Sequence, residues 1–307
     1  MDYKKAVAQL REASRRAVRE LGFLENRYCE TGCTHSQCHV LVELDVRRRV
    51  TVGELAEILG QDISSTSRTL RTLIDRGFVE SLVDSRDGRR RPYRLTKAGR
   101  TKTQEIHRLA DSQTRAALEL LSSADQDIVI KGLSLYAQAL ERSNKLALIK
   151  IRPIAPGDDE AMSAVIRQVM TEFGAVGNGM SIEDQEVNRM FEAYKGERSA
   201  YFVAVKGGTL LGGAGVHQLE GCDDPGVCEL RKLYVLPEGR GMGLGRQLMD
   251  RCFSAAQHMD YRHIYLETID NMIHARHLFE KYGFRNLKAP MGQSGHHGCT
   301  IWAIREL

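Results

Sequence analysis

The sequence predicts two domains: a mainly α winged helix-turn-helix unit over residues 1–145, then an α+β unit over residues 149–307. Three observations carry this. Two short amphipathic segments meet around Gly60 and are followed by two strand-like runs about Asp87-Gly88, a strong hairpin signal. Beyond Ile149 the pattern changes to strand–helix alternation. Within that half an apolar run, Leu233 to Leu236, meets Pro237 and a turn dense in glycine that opens directly into an amphipathic helix.

Composition sets the frame. A chain of 307 residues exceeds one ordinary domain, and 42% hydrophobic with 27% charged residues fits globular protein. No stretch approaches the ~18 apolar residues of a membrane span. The opening MDYKKAVAQLREASRR lacks the apolar core of a signal peptide, so a cytoplasmic protein with no membrane partner is expected. Seven cysteines, an odd count without an export signal, point to reduced thiols. A net charge of +4 says little unless the basic residues cluster on one face.

In chain order, apolar residues recur at helical spacing from Lys4 to Leu24. Thr51 and Glu54 form a capping box that heads a helix with Leu55, Ile58 and Leu59 inward, ended by Gly60. A second helix is expected from Ser64, whose hydroxyl can cap it, to Asp75, with Leu70, Leu73 and Ile74 as its buried stripe. FVESLV and RPYRLT then flank the turn as a wing. Residues 101–145 return to helical periodicity and suit dimerisation. Ser143 to Ile149 reads as the link between the halves.

Ser64, Ser65, Ser67, Arg68 and Arg71 lie opposite the apolar stripe, offering short hydroxyls and guanidinium groups suited to base edges and phosphates. A solvated helix face looks similar. The hairpin arginines Arg86, Arg89, Arg90 and Arg91 add a second basic element and favour DNA. The string Asp84-Ser85-Arg86-Asp87-Gly88-Arg89-Arg90, followed by Leu95-Thr96-Lys97-Ala98-Gly99, resembles the wing signature of MarR-family regulators. The resemblance implies a homodimer on a double-stranded DNA operator, a small-molecule effector, and an Asp87 that orients arginine. Cys29, Cys33, Cys38, His35 and His39 lie within eleven residues. Their spacings are not those of usual structural zinc sites, so no metal is assigned; a thiol-sensing site and small buried cysteines both remain open.

The glycine-dense turn of the second half reads as a diphosphate cradle. Gly239, Gly241, Gly243 and Gly245 let backbone N–H groups approach a phosphate, the helix N-terminus adds partial positive charge, and Arg240 offers a charged contact. Neither the dinucleotide nor the NTP glycine motif fits. Arg240-Gly241-Met242-Gly243-Leu244-Gly245, preceded by the strand Leu233-Tyr234-Val235, resembles the R/Q-x-x-G-x-G/A signature of GNAT-type N-acetyltransferases, over residues 149–307. That resemblance implies a GNAT fold with a mixed central sheet. It also implies acetyl-CoA as cosubstrate, held by these residues with Arg246 and Asn271. Asn271 lies one place from the asparagine position of relatives, which Met272 occupies.

Acyl transfer to an amine needs a base, an oxyanion donor and a proton for the leaving thiolate. Glu229, opening the ELRKLYV strand, is the expected base, and a salt-bridge partner for Arg231 or Lys232 is its plain alternative. Glu267 is a second base or an anchor for the substrate ammonium. The Val235 amide is the expected oxyanion donor. Relatives often place a tyrosine general acid where this chain has Phe279, so either Tyr282, one turn on, or water fills that role. His296 and Cys299 either touch substrate or belong to a glycine-rich connection. The expected function is a DNA-binding regulator fused to an acetyltransferase acting on a small amine; a non-catalytic acetyl-CoA sensor and a protein-lysine acetyltransferase are the rivals.

Overall fold

A computed structural model describes residues 2–25, 31–82, 91–177 and 179–307. The chain divides into two compact units, Met1–Ile130 and Lys131–Leu307. Among the described residues no helix is long and apolar enough to cross a membrane.

The first unit opens with α1 (Tyr3–Glu20), capped by Asp2, and α2 (His35–Arg47), headed by a Thr34/Gln37 capping box. The Thr51/Glu54 box heads α3 (Val52–Leu59), which Gly60 ends in the left-handed conformation. The next helix, α4 (Ile63–Asp75), is capped by Asp62, which accepts from the Ser65 amide at 2.8 Å. Ser64 therefore lies inside the helix, contrary to the expected cap, because Asp62, two residues earlier, already caps its start. The expected stripes are narrower too. Leu55, Leu70 and Leu73 are buried in one cluster with Leu41 and Leu44 of α2, whereas Ile58 and Ile74 stay 37% and 38% exposed.

The wing strands β1 (Val79–Ser81) and β2 (Tyr93–Leu95) pair antiparallel, Glu80 opposite Arg94, and Tyr93 also bridges Val50. Thr96 caps α5 (Lys97–Leu118), whose Gly99 lies so close to the Phe78 carbonyl that an added Cβ would come within 1.9 Å of its oxygen. The tight turn after β2 needs glycine there for space. The long α6 (Ser123–Ala147) runs through most of the expected link, so helix continues to two residues before the first strand of the second unit.

That unit comprises β3 (Ile149–Pro153), α7 (Asp159–Glu172), the one-turn α8 (Met190–Ala193), β4 (Ala200–Lys206), β5 (Thr209–Gln218), β6 (Val227–Val235), α9 (Leu244–His258), β7 (His263–Thr268), α10 (Ile273–Lys281), β8 (Arg285–Asn286) and β9 (Ile301–Glu306). The seven-stranded sheet has the order β3-β4-β5-β6-β7-β9-β8 and is mixed: β6 and β7 run parallel, every other neighbouring pair antiparallel. One face packs on α9, with Cys228 and Leu230 against Leu248 and Cys252. Met162, Ile166 and Met190 join Tyr201 and Val203 in a second cluster.

Candidate functional site

Two features of β6 make the cleft. β6 and β7 stay in register only from Val227 opposite His263 to Glu229 opposite Tyr265, after which they part. In the same stretch β6 carries one more residue than β5: Arg231 lies opposite Gly215, but Tyr234 already lies opposite Gly213. The extra residue is a bulge at Lys232, whose φ of 52° is left-handed and costs a non-glycine residue about 1–2 kcal/mol. The bulge increases local twist and turns β6 away from its parallel neighbour. Leu233 and Tyr234 on one side and Leu266, Thr268 and Ile269 on the other then line a cleft.

The bulged residue is held on both sides. Its carbonyl accepts from the Tyr201 hydroxyl at 2.8 Å, and its buried ammonium reaches the carboxylates of Asp184 and Glu186. Arg231 Nη2 pairs with Glu186 as well, at 2.9 Å. Arg231 and Lys232 thus meet the same acidic segment, where a regular strand would send consecutive residues to opposite faces.

Glu229 stands where the two strands separate, and it lines the cleft. It is 3% exposed, and its carboxyl is pushed up to about 7, burial being the largest cause, with Glu267 adding to it and Arg231 and His296 opposing it. Arg231 Nε lies 3.5 Å from one of its oxygens and His296 Nδ1 lies 3.9 Å from the other. The other imidazole nitrogen, Nε2, lies 3.0 Å from Asp184. Asp184 is itself drawn down to about 2: burial resists ionisation, and the His296 contact and the Lys232 charge outweigh it. Glu267 shares the cleft and accepts from the Tyr265 hydroxyl at 2.6 Å. A carboxyl half-ionised near neutrality beside an oriented imidazole is suited to proton transfer.

The far end of β6 leads into the glycine turn. Gly243, with φ of 96°, is the N-cap of α9 and makes no side-chain cap hydrogen bond, so the first amides of that helix lack a side-chain acceptor. Gly241 is also left-handed, with φ of 72°. An uncapped helix start of this kind fits a diphosphate. The Leu236 amide donates to Leu211 on β5, and strand alternation turns the Val235 amide to the opposite edge, toward the side where β7 has parted.

Several expected residues stand elsewhere. The Arg240 guanidinium is clamped by both oxygens of Glu172 at 2.6 and 2.7 Å, donates to the Val235 carbonyl and lies over Phe173. Its charge is thus already neutralised, and the turn offers backbone instead. Asn271 is exposed and outside the cleft lining, which includes Met272. The Tyr282 hydroxyl donates to Asp250 on α9, and burial and that acceptor push it up to about 12. It lies outside the cleft because helical geometry turns position 282 toward α9, whereas Phe279 faces the lining. Cys299 and His296 both line the cleft; burial, with the neighbouring carboxylates, pushes the Cys299 thiol up to about 12 and keeps it neutral. Asp184 and Glu186 escaped the sequence reading because nothing local in EDQE marks them; only the bulge brings them to the site.

In the first unit, Ser64, Ser67, Arg68 and Arg71 are exposed on α4 and Ser65 is half-buried. Arg68 folds back on its own helix, donating to Ser65 Oγ at 3.0 Å. Arg91 is exposed; Cys29, Asp84, Ser85, Arg86, Asp87, Gly88, Arg89 and Arg90 lie outside the described residues.

The second unit is thus a mixed sheet that parts beside a buried carboxylate, with an uncapped helix start at the other end of the same strand, and the first unit carries a winged helix. Comparison with known proteins agrees. Residues 168–284 match the Acetyltransferase (GNAT) family and residues 33–90 the MarR family. An uncharacterized N-acetyltransferase of Escherichia coli (strain K12), YjgM, is 33% identical over 158 residues, 51% of this chain and 94% of the relative. A second, C1271.07c of Schizosaccharomyces pombe, is 30% identical over 131 residues, 42% of this chain and 78% of the relative. The uncharacterized HTH-type transcriptional regulator YfiV of Bacillus subtilis (strain 168) is 29% identical over 109 residues, 36% of this chain and 68% of the relative. The chain belongs to the GNAT acetyltransferase family, fused behind a MarR-family winged-helix segment.

Proposed function

We propose that the protein is a DNA-binding regulator whose second unit transfers acetyl from acetyl-CoA to a small-molecule amine. The observation that carries the reading is Glu229, buried at the point where β6 and β7 separate and ionising near neutrality. The first amides of α9 hold the diphosphate of the cosubstrate, which supplies an activated acyl carbonyl. Glu229 takes a proton from the acceptor ammonium, directly or through water, and His296, oriented by Asp184, faces the same carboxylate. The Val235 amide donates to the developing oxyanion. With Tyr282 engaged by Asp250, water protonates the leaving thiolate, whose pKa near 8.5 makes this tolerable. The carboxylates of Glu229 and Glu267 attract an ammonium to the cleft.

In the first unit α1 buries no residue, and α6, which runs from the first unit into the second, buries none either; Val7 and Leu10 on α1 and Leu133 on α6 are exposed, and a second copy would cover them, in keeping with a homodimer on an operator. The exposed face of α4 would enter the major groove. A cytoplasmic location accords with both activities.

The decisive experiment is acetyl-CoA consumption across amino acids, polyamines and aromatic amines, with and without Glu229→Gln, alongside calorimetry with acetyl-CoA. Turnover that needs Glu229 and a measurable heat of binding are expected. No heat with folded protein would overturn the cosubstrate, and full turnover by Glu229→Gln would remove the base.

A further inference from the structure

Two thiols and a guanidinium meet at the start of α2. Thr34 and Gln37 form the reciprocal capping box there. In such a start, the residue before the cap and the fourth residue of the helix face each other and ordinarily carry an apolar pair that staples the entry. Here those positions are Cys33 and Cys38. Both are buried, in the same cluster.

An apolar staple needs no charge beside it, yet Arg76 Nη1 lies 3.5 Å from Cys33 Sγ and 3.2 Å from Gln37 Oε1. Lys102 adds a second cation, its ammonium reaching the Thr31 carbonyl at 3.4 Å and Glu105 at 2.6 Å. Thr31 Oγ1 accepts from the Cys33 amide at 3.2 Å and lies 4.0 Å from Cys38 Sγ. Cys33 is drawn down to about 6, first by its hydrogen bond with Cys38, then, against the opposing effect of burial, by Arg76 and Lys102. Cys33 itself is buried, between the exposed Gly32 and Thr34.

We propose that Cys33 and Cys38 are a redox-active thiol pair that a hydroperoxide converts to a disulfide across the start of α2. The Cys33 thiolate attacks the peroxide oxygen; an S–O bond forms, the O–O bond breaks, and the departing oxygen leaves as water or alcohol after taking a proton from solvent. Cys38 sulfur then attacks Cys33 sulfur, its thiol proton going to the leaving oxygen. The S–S bond forms, S–O breaks and water leaves. The two thiols lose two electrons and one hydroperoxide gains them. The product removes the anion that Arg76 faces. Arg76 is the C-cap of α4 and lies over Phe78, so the redox state is felt at the end of the helix that carries Arg68 and Arg71.

The test uses the full chain, hydrogen peroxide and peptide mapping without reductant. The expected result is a Cys33–Cys38 linked peptide that dithiothreitol reverses, with Cys33 trapped as the dimedone adduct of its sulfenic acid in Cys38→Ser. Arg76→Gln slows linkage on the order of tenfold near neutral pH, since less of Cys33 is thiolate, and Arg76→Lys restores much of the rate. A linkage through Cys29 in place of Cys38, no linked peptide while the half-buried Cys222 oxidises, or an unchanged rate in Arg76→Gln would each overturn the proposal.

Discussion

His296 Nε2 lies 3.0 Å from the Asp184 carboxylate, 112 residues away in sequence, and this pairing aims the other imidazole nitrogen at Glu229. Asp184 also binds Lys232, the bulged residue of β6. One carboxylate thus joins the loop carrying His296 to the distortion that opens the cleft.

Acid stability follows from that carboxylate. Asp184 is lowered from 3.8 to about 2 in the folded protein, so its contribution is complete above pH 3.8 and is lost as pH falls toward 2. In acid unfolding followed by circular dichroism, Asp184→Asn should lower stability near neutrality and flatten the decline over that window. A decline as steep as in the parent would show that Asp184 is not held as described.

Glu229 gives the opposite sign. Its carboxyl is raised from 4.5 to about 7, so the protonated form's contribution to stability is complete below pH 4.5 and is lost as pH rises toward 7, while the base form needed for proton removal appears over the same range. The ascending limb of kcat/KM against pH should have its midpoint near 7, and Glu229→Gln should lower kcat/KM by ~100-fold or more and abolish that limb. A limb that persists in the variant belongs to another group.

Lys232 separates backbone strain from charge. Lys232→Ala keeps the left-handed cost and loses both ion pairs, whereas Lys232→Gly loses the pairs but tolerates the φ of 52°. The glycine variant should be more stable than the alanine one by ~1 kcal/mol in urea unfolding. Equal stabilities would mean that the bulge relaxes on substitution.

In the first unit, Gly99→Ala would drive a methyl to within 1.9 Å of the Phe78 carbonyl oxygen. Backbone cannot yield as a flexible side chain can, so thermal unfolding should report a loss of ~2 kcal/mol or more from that unit, with acetyltransferase turnover by the second unit retained. A melt indistinguishable from the parent would place α5 differently from the wing.

Gly243→Ala tests the helix start. With φ of 96° at the N-cap, a side chain is strained there, and the variant should weaken the calorimetric affinity for acetyl-CoA by ~10-fold while the sheet stays folded. Unaltered affinity would move the diphosphate away from the α9 amides.

Much of the molecule was legible in its sequence because it rests on local chemistry. The Thr51/Glu54 capping box, Gly60 as a helix stop, the strand pairing around the wing and the glycine-led helix after Val235 follow from residue types at fixed offsets. The position of Glu229 on the strand that leads into the glycine turn was legible too, whereas its burial in the cleft was not. The partners of Arg240 and Tyr282, Glu172 and Asp250, were not legible, because they come from distant segments; Ser64 lost the cap to Asp62, two residues earlier.

What the sequence by itself determined is the pair of families, the succession of helices and strands, and the residue types able to hold a phosphate or move a proton. Tertiary structure alone decided which side chains share the cleft. An added residue in β6 turns Arg231 and Lys232 toward Asp184 and Glu186 and ends the pairing of β6 with β7 beside Glu229, and burial there, reinforced by Glu267, raises that carboxyl to about 7. Such desolvation depends on everything packed around the group, and no sequence offset encodes it.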